Sequence, residues 1–212
     1  MIKKWIKYRH GLINKKNRLR LTNKTPTLIC SNCTGGVLYH WLGLEFRSPF
    51  INLYMNNIDF IKALENFDEF LATEIVEDKN SKLDYPVGIG YNGVRLHFVH
   101  YKNFTDAIEK WNERKKRIDP KNMCVWLTNF TPSQYGAEPT TIIERFNKLP
   151  FKNKLIFSGE KFHGENIIYL KKYNKVMNKK NIFGTMNFLG KRFIDQFDYV
   201  SYLNNMIGNE VD

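Results

Sequence analysis

The chain has 212 residues, 42% of them hydrophobic and 15% aromatic, enough for one domain with a sizeable core, since domains run to roughly 100–200 residues. That composition excludes a disordered, collagenous or repetitive chain, and no apolar run approaches the roughly 20 residues needed to cross a bilayer. The 33 Lys and Arg against 21 Asp and Glu leave a formal charge of +12, which raises nucleic acid or an anionic membrane as a partner.

The charge is unevenly placed. Residues 1–24 hold nine cations and no acid, so the other 188 residues carry 24 cations against 21 acids. The division expected is a basic arm over residues 1–24 followed by a single domain over 25–212. Trp5, Ile6, Tyr8, Leu12, Ile13, Leu19 and Leu21 interleave with the cations of the arm, a composition suited to the headgroup layer of an anionic membrane more than to nucleic acid. Gly11 weakens any single long helix there. The arm has no continuous apolar segment followed by a small-residue cleavage site, so it does not read as a secretory signal. The odd cysteine count, with Cys30, Cys33 and Cys124, fits a reducing cytoplasm and no disulfide framework.

Further along, Thr27–Ser31 predicts a short buried strand, Asn32-Cys33-Thr34-Gly35-Gly36 a tight turn, and Val37–Leu42 a helix stopped by Gly43. Ser48-Pro49 opens an extended piece through Tyr54. Asn57 or Asp59 then caps a helix whose Ile58, Ile61, Leu64, Phe67 and Leu71 recur at helical spacing. Two strands flank Tyr91-Asn92-Gly93, because Asn-Gly favours a tight hairpin. In the second, running to Tyr101, period 2 sets Val94, Leu96, Phe98 and His100 on one face and His97 on the other.

The clearest helix follows Asn103 or Thr105, with Phe104, Ala107, Ile108, Trp111 and Ile118 forming its stripe. A strand at Met123–Leu127, a helix near Thr140–Lys148 and a strand at Lys154–Ser158 come next. Residues 163–190 are less regular, and Asp195–Met206 reads as a final helix. Apolar strands alternating with amphipathic helices predict one α/β domain, its largely parallel sheet covered by helices on both faces.

In open α/β sheets ligands bind beyond the carboxyl ends of the strands, which selects Asn32–Gly36 and His100-Tyr101. Gly35 and Gly36 would let backbone amides approach a diphosphate at a helix start. Asn32, His97 and Tyr101 would line the same site, Arg114 would balance phosphate charge, and His100 would orient or deprotonate an acceptor. Cys33 at the helix start is a candidate nucleophile with His100 as its base. Trp111, together with Trp41, Tyr101 and Trp126, offers a flat surface for a sugar. Cys30 and Cys33 form a CxxC with no second ligand pair, so zinc is not expected. No cofactor is called for.

The runs Ser31–Gly36, Leu42-Gly43-Leu44, Ser48-Pro49-Phe50, Tyr85-Pro86-Val87-Gly88, His97–Tyr101, Ala107–Arg114 and Leu149–Lys154 occur in an order that resembles a bacterial family of unknown function often labelled exopolysaccharide biosynthesis protein. Thr128–Thr131 stands where that family carries an acidic stretch. The resemblance implies an α/β domain of capsule, lipopolysaccharide or exopolysaccharide assembly, and no specific reaction. Together with the site residues it leads to an expected glycosyltransferase-like transferase using a nucleotide-sugar donor and a glycan acceptor. The alternatives are a noncatalytic carbohydrate- or partner-binding accessory protein and a Cys33-dependent acyltransferase or hydrolase.

Overall fold

The computed structural model describes residues 2–130, 139–173 and 182–206. In chain order the elements are helix α1 (Ile2–Arg20), strand β1 (Thr27–Cys30), helices α2 (Thr34–Leu42), α3 (Asn57–Glu65) and α4 (Phe67–Ala72), strands β2 (Val76–Glu77), β3 (Val87–Ile89) and β4 (Arg95–His97), helix α5 (Phe104–Lys115), strand β5 (Met123–Phe130), helix α6 (Pro139–Lys148), strands β6 (Lys154–Ser158) and β7 (Ile167–Tyr169), and helix α7 (Tyr199–Asn204). One sheet has the order β1-β5-β6-β7 with every pairing parallel, and a smaller antiparallel sheet has the order β2-β3-β4. The expected single α/β domain is therefore present, with an antiparallel appendage.

The parallel strands are apolar without alternation because both of their faces are buried. Ile29, Val125, Leu127 and Ile156 face α3, α5 and α6, where they meet Phe60, Ile61, Leu64, Trp111 and Phe146. The intervening Leu28, Cys30, Cys124, Trp126, Leu155 and Phe157 face α2 and α7 through Leu38, Tyr39, Tyr199 and Leu203. β1 lies at the sheet edge. There the buried Tyr39 hydroxyl accepts from the Leu28 amide at 2.9 Å and donates to the Pro26 carbonyl at 2.8 Å, which closes backbone groups that an open edge would expose.

Helix boundaries differ from expectation where caps decide them. α3 is capped by Asn56, whose side chain accepts from the Asp59 amide at 2.8 Å and donates to the Asp59 carboxylate at 2.7 Å. Asn66 separates α3 from α4, so the single apolar stripe from Ile58 to Leu71 belongs to two helices. The terminal helix is likewise divided, into a 3-10 turn at Phe193–Gln196 and α7, which Asp198 caps. The hairpin at Asn92-Gly93 forms as the dipeptide predicts: both residues have positive φ, 49° and 74°, and the Val94 amide donates to the Tyr91 carbonyl at 3.1 Å.

The basic arm is not a broken helix. α1 runs unbroken through Gly11, and its inner face docks on the domain. Asn17 is buried and donates to the Tyr199 hydroxyl at 2.7 Å, Arg18 donates to the Trp41 and His40 carbonyls that end α2, and Arg20 pairs with Asp198 at the start of α7. One helical glycine costs about 1 kcal/mol relative to alanine. Burying Leu21 at 2% exposure returns about 1.5–3 kcal/mol on its own, so the docking outweighs the glycine.

A residue not singled out from the sequence holds this junction. Arg192 is fully buried, spans both carboxylate oxygens of Asp195 at 2.9 Å, donates to Asn14 of α1 at 3.0 Å and stacks 3.5 Å from the Trp41 ring centroid. Removing one member of such a pair strands the other charge in the interior. Arg192→Ala is expected to lower stability by about 3–5 kcal/mol in urea unfolding. Arg192→Lys should recover only part of that loss, because an ammonium cannot reproduce the planar fork.

Candidate functional site

The carboxyl edge of the parallel sheet is joined to the antiparallel sheet by a short strap, Leu53–Met55. On one side the Met55 amide donates to the Ser31 carbonyl at 2.8 Å and the Cys33 thiol faces the Leu53 carbonyl at 3.6 Å. On the other, Tyr54 and His97 exchange backbone hydrogen bonds at 2.9 and 3.0 Å as an antiparallel bridge. Ser31 locks the end of β1 to β5, its hydroxyl accepting from the Thr128 amide at 3.0 Å. Asn52, immediately before the strap, has φ of 62°, a left-handed conformation that asparagine tolerates better than most residues.

The strap brings Asn32, Cys33 and His97, three of the sequence-selected residues, to one region. Asn32 spends its side-chain oxygen on the Thr34 amide at 3.0 Å and hydroxyl at 2.6 Å, which shapes the entry to α2. His97 is half-buried. Its ring stacks on Tyr54 with centroids 4.4 Å apart and planes 8° from parallel, while Tyr85 meets it edge-on at 6.0 Å. The Tyr54 and Tyr85 hydroxyls lie 3.4 Å apart. His97 Nδ1 is buried and has no hydrogen-bond partner among the described residues.

Burial, reinforced by the nearby Arg95 charge and opposed by Asp59, holds the His97 pKa below the usual imidazole value. The ring is therefore neutral near pH 7 and has an acceptor lone pair to offer. The thiol of Cys33 is affected in the opposite sense for a nucleophile. Burial pushes its pKa up to about 11, so the reactive thiolate is scarce at neutral pH. Cys30 and Cys124 are fully buried and also raised by burial.

Other expectations change. His100 does not end a strand on the apolar face: β4 stops at His97, the chain turns through backbone bonds from Val99 to His97 and from Tyr101 to Phe98, and His100 is exposed. Val94, Leu96 and Phe98 do share the buried face, so the period-2 reading fails only where the strand ends. Gly35 and Gly36 are buried in the first turn of α2. A Cβ on Gly35 would lie 3.3 Å from Cys30 Sγ and the Leu28 carbonyl, and one on Gly36 would lie 3.2 Å from Ile51. Their smallness lets α2 approach β1 and the 49–52 segment.

Trp111 is not a sugar platform, because it is 2% exposed and packs on Phe50 and Phe70. Trp126 is also in the core, and Trp41 is covered by Arg192. Arg114 donates to the Tyr101 hydroxyl at 2.8 Å and sits over the Phe46 ring, so these two candidates engage each other. Beside them Arg117 pairs with Glu113 and Glu45, and Lys110 pairs with Glu113. Thr131, the last residue of the strand-end stretch, lies outside the described residues, as do 174–181 of the irregular region.

Tyr54 and Tyr85 are the site residues that the sequence reading missed. Tyr85 had a signal, since Tyr85-Pro86-Val87-Gly88 belongs to the motifs that carry the family resemblance. Tyr54 had none, lying in an extended piece without periodicity. Beside Tyr85 an open cleft of about 520 Å³ runs between the 77–87 loop and the start of α5, with Asp78, Asp84, Lys102 and Asn103 on its walls.

The fold and this strand-end site define an α/β domain with a histidine–tyrosine cluster where its two sheets meet. The chain belongs to the family described as Domain of unknown function (DUF1919), which it matches over residues 3–204, the whole of the fold and all but the first residue of α1. It is 34% identical over 194 residues to an uncharacterized protein of Haemophilus influenzae, with 91% of each chain covered.

Two measurements check the electrostatics. Because the folded pKa of His97 is depressed, the unfolded chain takes up the proton first, and stability is complete above the unfolded value of about 6.5 and lost as pH falls through the folded one. His10, also lowered by burial and by Arg192, adds to the same trend. Replacing His97 with Gln should flatten the fall in melting temperature below about pH 6.5, read by thermal unfolding over a series of decreasing pH. In native protein near neutral pH, alkylation with iodoacetamide followed by peptide mass spectrometry should show no selective labelling of Cys33, as a raised thiol pKa requires.

Proposed function

We propose that the protein is a transferase of bacterial cell-surface polysaccharide assembly, moving a sugar from a nucleotide-activated donor to a glycan hydroxyl, with His97 as the base. The observation that carries this reading is His97 itself: a neutral, half-buried imidazole clamped by Tyr54. Such an imidazole takes the proton of an acceptor hydroxyl as that hydroxyl's oxygen attacks the anomeric carbon, while the bond to the nucleotide diphosphate breaks and that group leaves with the electron pair. Locking the ring by stacking spares the cost of orienting it at the moment of reaction. The polysaccharide setting rests on the sequence resemblance, and a site at the carboxyl end of a parallel sheet is where such folds bind ligands.

A second reading has one observation in its favour. The Tyr54–His97–Tyr85 set is a partly exposed aromatic surface of the kind that stacks on a sugar ring, so a noncatalytic carbohydrate-binding role fits the same residues. The Cys33 acyltransferase reading loses support from the raised thiol pKa.

The two readings separate in one experiment. Thermal shifts against nucleotides, nucleotide sugars and glycans identify the ligand, and transfer is then assayed with the donor that binds. His97→Gln is expected to reduce transfer by about 100-fold or more with donor binding kept, and His100→Ala to leave it unchanged. Full activity of His97→Gln overturns the base. Stabilisation by glycan and by no nucleotide selects the accessory role.

A further inference from the structure

We propose that the outer face of α1 and the tip of a neighbouring hairpin form one docking surface for an anionic lipid membrane. α1 carries two apolar stripes. The inner one, Ile6 and Ile13 with Asn17, turns toward the domain and is half-buried or buried. Trp5, Tyr8, Leu12 and Leu19 are spaced by three, four and seven residues, so at 3.6 residues per turn they fall within about 60° of one another on the opposite side. Their exposures are 41%, 64%, 40% and 80%.

That stripe is bordered by cations on both sides. The same helical geometry puts Lys4 and Lys15 along one edge and Arg9 and Lys16 along the other, and α1 contains no acid. An apolar seam that holds Trp and Tyr between Lys and Arg matches the interfacial layer of a bilayer, where rings settle at the headgroups and cations reach anionic lipid.

The tertiary structure adds a second apolar element. Residues 185–192 form a hairpin, with Thr185 bridged to Arg192 and the Met186 amide donating to the Lys191 carbonyl at 2.6 Å. Its tip exposes Phe188 at 81% and Leu189 at 45%. The tip is fastened to α1: Arg9 Nε donates to the Leu189 carbonyl at 3.4 Å, and Gly190, at φ 78°, packs so closely on Arg9 that an added Cβ would lie 2.8 Å from its side chain. Phe188 and Leu189 thus join the Arg9 edge of the helix, far from it in sequence.

Charge complementarity selects the occupant. A second copy would bring an identical acid-free helix against this one, and the cations would repel. Nucleic acid needs the cations and gains nothing from exposed leucines. Anionic lipid uses both. The proposal is independent of the transferase reading, since its probe is lipid and requires no activity.

The test is co-sedimentation of the full chain with vesicles of phosphatidylcholine alone or mixed with phosphatidylglycerol. The expected result is binding to the anionic vesicles only, weakening as salt rises, with a blue shift of tryptophan emission that disappears in Trp5→Phe. Leu12→Ser with Leu19→Ser, Phe188→Ser, and Lys4→Glu with Lys15→Glu should each reduce binding by about tenfold or more. Thermal unfolding should be unchanged in all of them, because the altered side chains are exposed. Absence of vesicle binding overturns the proposal. So does binding that ignores the apolar variants and is competed equally by duplex DNA, which marks a general polyanion surface. A concentration-dependent dimer abolished by the Leu12 and Leu19 changes would assign the stripe to a second copy instead.

Discussion

Parallel pairing of β1 with β5, in the register Leu28↔Cys124, Ile29↔Val125 and Cys30↔Trp126 with every one of these residues fully buried, is the constraint on which the rest of the molecule depends. A strand buried on both faces needs a cover on each side. Two helix layers follow, one of α3, α5 and α6 and one of α2 and α7. The close seat of α2 on β1 in turn demands the small residues at Gly35 and Gly36. These glycines serve packing, though their setting at a strand-to-helix turn is also where phosphate-binding glycines occur in other folds.

The same pairing fixes the site. Because β1 ends at Cys30 and Ser31 continues its bonding to β5, the chain leaving that edge presents Asn32 and Cys33 at its rim, and the strap at Leu53–Met55 takes the next backbone contact. The strap carries Tyr54 to β4 and so to His97. The histidine belongs to the antiparallel sheet and the cysteine to the turn between β1 and α2. Their environments push in chemically different directions: burial leaves His97 neutral and able to accept a proton, and leaves Cys33 protonated and a poor nucleophile.

A second centre lies at the junction of α1 with the rest of the fold. Arg192 with Asp195, Asn14 of α1 and Trp41 of α2 bind three separate segments through one buried guanidinium. Its fork and its flat face are both used, which a lysine could not match. This junction makes the basic segment part of the domain, and it leaves the segment's outer face uncovered.

The α/β class, the parallel sheet, the β6 strand at Lys154–Ser158, the Asn92-Gly93 turn and the uneven charge were all legible in the sequence, because each depends on local periodicity, turn chemistry or composition. His100 was misplaced because period 2 extends a strand only as far as the strand runs, and the turn after His97 is set by how Phe98 buries and α5 begins. Trp111 and Arg114 looked available because exposure is a property of what packs against a residue, here Phe50, Phe70 and Tyr101. The meeting of Tyr54 with His97, of Arg192 with Trp41 and of Gly190 with Arg9 of α1 was decided by tertiary structure alone. Each joins segments distant along the chain, and only the closure of the two sheets and the docking of α1 bring their side chains within contact.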